Sequence, residues 1–95
     1  MIGTVKVRNM EITLIEQRYS NERLAICGSC SDGEPFGTLT VNVPEVELQP
    51  GEFFVKTWSE NEAFSKAALE SGLFIDTGKR APTGFVEAQV WKFND

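Results

Sequence analysis

Apolar and polar residues alternate with a period of two along four segments in the first half of the chain. The apolar members are Val5 and Val7, then Met10, Ile12 and Leu14, then Leu24 and Ile26, and finally Leu39, Val41 and Val43. Successive side chains of a strand point to opposite faces of its sheet, so this pattern gives each segment one apolar and one polar face. We therefore expect four strands that form an antiparallel meander with one face in water.

Turn-forming residues separate the four segments. The sequence predicts a turn near Asn9, a second turn over residues 19–22, and a longer loop over residues 28–35, where Gly, Ser, Asp and Pro are concentrated. Pro44 is expected to end the fourth strand, because proline lacks the amide hydrogen that a ladder needs.

One helix is predicted near residues 60–71. The residues Ser59 to Glu62 match a capping box, in which the serine hydroxyl and the glutamate carboxylate satisfy each other's backbone amides. An apolar stripe of Phe64, Ala67 and Ala68 follows at helical spacing. Gly72 stands where a left-handed residue is expected to end the helix.

The remaining segments predict further strands around this helix. Residues 52–58 read as a fifth strand, residues 73–75 as a short apolar segment, and residues 77–84 as a loop. The last segment, residues 85–93, is apolar on both faces. One face carries Val86, Ala88 and Val90, and the other carries Phe85, Trp91 and Phe93. Such a strand is typical of the centre of a sheet, the alternative being an aromatic contact patch.

Together these elements predict an α+β fold. We expect an antiparallel β-sheet of five to seven strands with one α-helix packed on one face. The chain has 95 residues, a length typical of a single domain, and we assign residues 1–95 to it.

Charge and the lack of histidine restrict the function. The net charge is −5, and residues 32–76 contain nine acidic and only two basic residues. This balance argues against direct nucleic-acid binding, which needs Lys and Arg to neutralise phosphates. The acidic block is either a solvated face that keeps the protein in solution or a surface that meets a basic partner protein. For the second case we expect partner-binding roles for Glu45, Glu47, Glu52, Glu60 and Glu62. Lys79 and Arg80 are the candidates for contacting an acidic partner or a phosphate.

Two motifs suggest chemistry that their surroundings do not support. Cys27 and Cys30 have the spacing of half a zinc site or of a redox pair, but the chain has no other Cys and no His, and no helix is predicted to follow Cys27. Two interpretations of this pair remain. The cysteines either form a four-cysteine site shared across a dimer or are two free thiols.

Residues 76–78, Asp-Thr-Gly, resemble the aspartic protease signature, although Lys79 and Arg80 follow it and only 17 residues remain after the motif. We expect Asp76 to bond local amides in a polar turn. The sequence thus predicts no catalytic residues, no metal ligands and no cofactor.

No segment has the length of a membrane helix or the apolar stretch of a signal peptide, so we expect a cytoplasmic protein without membrane contact.

Four stretches carry a resemblance. They are FGTLTVNVP at 36–44, GEFFVKTWSENE at 51–62, SGLFIDTG at 71–78 and PTGFV at 82–86. They resemble a group of small uncharacterised proteins of bacterial plasmids, phages and other mobile elements.

The resemblance implies a mobile-element setting, in which small acidic proteins often inhibit host defence systems in the manner of anti-CRISPR or anti-restriction proteins. We therefore expect a non-enzymatic protein-interaction module whose acidic surface meets a basic host protein. The alternative is a self-associating structural or scaffold protein, for which a homodimer is possible.

Overall fold

The first four strands form an antiparallel meander, as expected, but the fourth strand lies just before the residues predicted for it. The computed structural model describes residues 2–94. Its first sheet has the order β1-β2-β3-β4, with every neighbouring pair antiparallel. The strands are β1 (Gly3–Val7), β2 (Met10–Arg18), β3 (Leu24–Cys30) and β4 (Pro35–Thr38). The predicted turn near Asn9 is confirmed, since Arg8 and Asn9 both have positive φ, the geometry of a two-residue hairpin turn.

The predicted loop over residues 28–35 is wrong. Strand β3 continues to Cys30, and a short turn over residues 31–34 leads directly into β4. Gly28 belongs to the strand for a steric reason. A Cβ atom at this position would lie 2.8 Å from Ile12 Cγ2 and 2.9 Å from Phe64 Cζ. The glycine therefore makes room for the helix to pack on the sheet.

The last three strands form a second sheet with the order β5-β7-β6. They are β5 (Glu52–Val55), β6 (Phe74–Thr83) and β7 (Val86–Phe93), all antiparallel. The central position predicted for the C-terminal strand is confirmed. The loop predicted over residues 77–84 is wrong, because β6 continues through a bulge between Asp76 and Arg80. Gly78 has a φ of +86° in this bulge, and the Thr77 hydroxyl donates to the Val90 carbonyl at 2.7 Å.

The expectation of a single sheet is also wrong, because the seven strands divide into sheets of four and three. One isolated bridge, between Thr40 and Val55, joins them. The residues predicted as a fourth strand, Leu39 to Val43, are where the chain crosses from one sheet to the other. Leu39 is buried in the core between the first sheet and the helix, whereas Val43 is buried against the outer face of the second sheet.

The helix α1 (Glu62–Glu70) is shorter than predicted and begins differently. A single 3-10 turn, Ser59–Asn61, precedes it, and no side chain caps either N-terminus. The capping box is therefore wrong. Ser59 has a φ of 56°, and the serine residue starts the 3-10 turn instead of capping the helix. The predicted end is confirmed, since Gly72 has a φ of +83° just after the last turn.

Two apolar clusters hold the fold together. The larger one lies between the first sheet, α1 and the inner face of the second sheet, where Phe53, Phe74, Trp91 and Phe93 pack with ring centroids 5.5–5.9 Å apart. The smaller one covers the outer face of the second sheet, around Phe54, Ala81, Ala88 and Val90. Both faces of β7 are thus used within the chain, and burial of each large aromatic side chain contributes roughly 1.5–3 kcal/mol. Among residues 2–94 no helix is long and apolar enough to cross a membrane.

Candidate functional site

Residues 41–51 form an acidic loop, by which we mean the irregular segment that covers the outer face of the second sheet. Val43 is fully buried there, and Val46 and Leu48 pack against the same small cluster. Glu45 and Glu47 alternate with these apolar residues and are exposed. Neither carboxylate takes part in an ion pair with any residue from 2 to 94. The loop therefore presents two free negative charges from a packed base.

Arg23 fastens this loop from the β2–β3 turn. Its guanidinium donates to the Val43 carbonyl at 2.7 Å and to the Val46 carbonyl at 2.6 Å. The same group lies 5.7 Å from the centroid of the Phe54 ring, a cation–π distance. A second contact, from Asn21 Nδ2 to Asn42 Oδ1 at 3.2 Å, joins the same turn to the start of the loop. An arginine far away in sequence thus limits the motion of the acidic loop.

Glu52 closes the other end of the loop and is not free. Its Oε1 accepts from the Gln49 amide at 2.8 Å, and its Oε2 pairs with the Lys79 ammonium. The glutamate side chain is only 9% exposed. Burial alone would raise the pKa of Glu52, but the bonds from Lys79 and Gln49 and the charge of Lys92 outweigh it, so this pKa lies below its usual value. The structure brings Glu52 and Lys79 together as a structural pair.

Arg80 is likewise bound to a carboxylate of its own chain. Its two terminal nitrogens donate to the two oxygens of Asp76 at 2.9 and 3.0 Å. These bonds lower the pKa of Asp76, against the opposing effect of burial, and the Gly78 amide adds to the lowering from 2.9 Å. The bond to the Gly78 amide confirms that Asp76 serves a local turn. Lys79 and Arg80, both predicted to contact an acidic partner, each hold a carboxylate within the chain.

Glu60 and Glu62 are close in sequence but face different depressions. The Glu60 side chain is 79% exposed and makes a loose ion pair with Lys56 at 3.7 Å. It lines a cleft of about 670 Å³ together with Arg8, Tyr19, Thr38 and Asn61. Glu62 lines a smaller groove of about 340 Å³ between α1 and the second sheet, next to Lys66 and Trp91. Both carboxylates are exposed, and each has a different neighbourhood.

The two cysteines lie on opposite faces of β3. Cys27 Sγ faces the solvated side of the first sheet, 3.5 Å from Gln17 Oε1. Cys30 packs against the larger apolar cluster on the other side. Because residues three apart on a strand point in opposite directions, this pair has no common direction in which to hold a metal ion. Both thiols are free, and within the described residues no three His, Cys, Asp or Glu are grouped in a way that could hold a metal ion.

Sequence reasoning did not identify the residues that shape these surfaces. Asn61 is 6% exposed, and its Nδ2 donates to the carbonyls of Thr38 and Lys56 at 3.0 and 2.9 Å. The capping-box pattern assigned roles to Ser59 and Glu62, on either side of Asn61, and none to Asn61 itself. Arg23 appeared only as one more charge. Asn61 and Arg23 bond residues about 20 positions away, so no local sequence pattern indicates either of them.

Comparison of the chain with protein-family models, with curated proteins and with solved structures found no match. A function is therefore inferred from the fold and from the surfaces described above.

Proposed function

We propose that this chain is a non-enzymatic interaction protein whose acidic loop binds a basic surface of another protein. Glu45 and Glu47 form the centre of the contact, and the exposed Glu60 and Glu62 extend the negative field. Opposite charges across an interface favour encounter and select the partner.

The observation that supports this proposal is the anchored acidic loop. Free carboxylates on a mobile loop would lose conformational entropy on binding, whereas Arg23 and the buried Val43 already hold this loop in place. Glu52 and the two basic candidates, Lys79 and Arg80, belong to the supporting framework, because each already holds an opposite charge.

The setting of this function follows from the resemblance to small proteins of mobile elements. In bacterial cytoplasm, an acidic loop that occupies the nucleic-acid surface of a host defence nuclease would act as a counter-defence inhibitor. Its carboxylates would occupy positions where the nuclease otherwise binds phosphates.

A pull-down from bacterial lysate tests the proposal with two matched variants. The first carries Glu45→Lys, Glu47→Lys and Glu60→Lys. The control carries Glu11→Lys, Glu34→Lys and Glu70→Lys, which changes the net charge equally at exposed residues away from the acidic loop. We expect a basic protein to be captured saturably by the wild type and the control and lost in the first variant. Equal capture by all three proteins, or equal loss in both variants, would contradict the proposal.

The self-association alternative depended on the two apolar faces of the C-terminal strand and on shared cysteine ligation. Both faces of β7 are covered within the chain, and Cys27 and Cys30 point apart. Of the residues assigned to these faces, Val86 at the start of β7 and Phe85 in the turn before it are exposed, and Phe85 is fully so. Light scattering at high concentration tests this alternative: a dimer in the wild type that dissociates in Phe85→Ser would support it.

A further inference from the structure

A cleft of about 670 Å³ opens where the two sheets diverge, and its volume is typical of small-molecule sites. Backbone bonds join Leu39 to Lys56 and Val41 to Phe54 at this point. Residues of β4 and residues that follow β5 line the cleft beside this junction. Asn61, buried beneath it, holds the two sides at a fixed distance through the Thr38 and Lys56 carbonyls.

Two basic side chains, Arg8 and Lys56, line this cleft and have hydrogen-bond donors that are not used within the described residues. Arg8 comes from the β1–β2 turn, and among residues 2–94 it has no hydrogen-bond or ion-pair partner for its side chain. Lys56 has only the loose contact to the exposed Glu60. A guanidinium and an ammonium that line the same cleft are groups that bind phosphate. Glu60 is the one carboxylate among the lining residues, so the lining carries one more positive than negative charge in a chain with a net charge of −5.

A flat apolar wall and an unused acceptor complete the cleft. Phe36 lines the cleft, and its ring packs against Phe64 in a T-shaped arrangement with centroids 5.1 Å apart. Asn61 Oδ1 accepts no hydrogen bond from residues 2–94. Every fully buried side-chain N or O atom among the described residues has a partner, so this oxygen keeps some exposure, and Asn61 is one of the residues that line the cleft. Such an acceptor fits an amino or ring N–H group.

We propose that this cleft binds a nucleoside phosphate. Arg8 and Lys56 would hold the phosphate, the base would lie against the Phe36 ring, and Asn61 Oδ1 would accept a hydrogen bond from the base. Aromatic rings accept any base by stacking, and arginine holds phosphate through two parallel bonds. The cleft shares Val41 with the acidic loop and Glu60 with the proposed partner surface, but the proposed ligand contacts use neither these residues nor Glu45 and Glu47, so AMP binding and partner capture are tested separately.

An NMR titration of ¹⁵N-labelled protein with AMP, adenosine and inorganic phosphate tests the site. We expect AMP to shift the amides of Gly37 and Thr38 and the side-chain amide of Asn61. Adenosine and phosphate, each lacking one half of the ligand, should bind at least about tenfold more weakly. Arg8→Gln and Lys56→Gln should each weaken AMP binding about tenfold while leaving the affinity for adenosine unchanged.

The control is Lys6→Gln, which removes a charge from the same hairpin but outside the cleft and should bind AMP like the wild type. A spectrum with the wild-type dispersion shows that each variant is folded. The proposal is overturned if AMP shifts none of these amides, if phosphate alone binds as tightly as AMP, or if both cleft variants retain wild-type affinity.

Discussion

At the scale of single residues, two polar side chains each connect several parts of the fold. Asn61 satisfies two carbonyls at the point where the sheets diverge, and Glu52 joins three separate segments through Gln49, Lys79 and the charge of Lys92. Buried polar groups cost several kcal/mol if they are left unpaired, so removing either side chain affects more than one contact. Alternation and helical spacing indicate neither residue, because both depend on partners elsewhere in the chain.

Substituting Asn61 tests its role at the junction. We expect Asn61→Ala to lower the free energy of unfolding by about 2 kcal/mol, since two carbonyls lose their donor in a buried place. Asn94→Ala is the matched control, because Asn94 is exposed and donates to a single carbonyl, that of Gly72. Its effect should stay within about 0.5 kcal/mol. Urea unfolding measures both, and equal stabilities would contradict the role assigned to Asn61.

The low pKa of Glu52 predicts how stability depends on pH. The folded pKa lies below the unfolded value of 4.5, so the carboxylate contributes stability above pH 4.5 that is lost as the pH falls through the folded pKa. The pKa of Asp76 is likewise lowered from its usual 3.8, so the stability that Asp76 contributes above pH 3.8 is also lost as the pH falls through its folded pKa. Thermal unfolding from pH 7 to pH 2 should show Glu52→Gln less stable than the wild type at pH 7 and less sensitive to acid. A parallel decline of the two proteins would contradict this linkage.

At the scale of elements, the alternation of apolar residues predicted most strands, and the errors occurred where two cores share one segment. The buried Leu39 and Val43 produce the alternation of a strand, yet they belong to different clusters, because the chain crosses between sheets there. Glycine and proline caused the opposite error, because residues that belong to strands were predicted to lie in loops. Gly28 lies within a strand because Phe64 fills the space beside it, and Pro82 is tolerated because β6 is an edge strand.

Two glycines on neighbouring strands separate packing from backbone effects. Gly28 and Gly37 pair directly across β3 and β4. A Cβ atom at Gly28 would meet Ile12 and Phe64, whereas at Gly37 it would meet nothing within 4 Å. We expect Gly28→Ala to destabilise the protein by about 1–3 kcal/mol and Gly37→Ala to have almost no effect. Chemical denaturation of the two variants should rank them in this order, and the reverse order would contradict the packing of α1 on the sheet.

Arg23 is expected to control the acidic loop as an element. Arg23→Lys keeps the charge but removes the paired bonds to the Val43 and Val46 carbonyls, so we expect faster amide hydrogen exchange within residues 43–48. Arg18→Lys is the control, because Arg18 bonds only the exposed Glu16. Unchanged exchange in the loop of Arg23→Lys would show that the valines alone hold it.

At the scale of the whole molecule, negative charge is distributed unevenly between framework and surface. Glu52 and Asp76 support the fold through partners in the chain, whereas Glu45 and Glu47 project freely from a loop that the fold holds in place. Charge counting along the sequence indicated the acidic block but gave all its carboxylates the same role. Only the ion pairs seen in three dimensions separate structural carboxylates from those available to a partner.

The most direct test of the acidic loop is the salt dependence of the affinity for the partner that the wild-type chain captures. Calorimetry at low and moderate salt should show binding by the wild type that weakens as salt screens the loop. The Glu45, Glu47 and Glu60 reversal should bind at neither salt concentration while unfolding at the wild-type temperature, and the matched Glu11, Glu34 and Glu70 reversal should bind like the wild type. An affinity that is independent of salt, or a loop reversal that binds as tightly as the wild type, would contradict the claim that the anchored acidic loop is the binding surface.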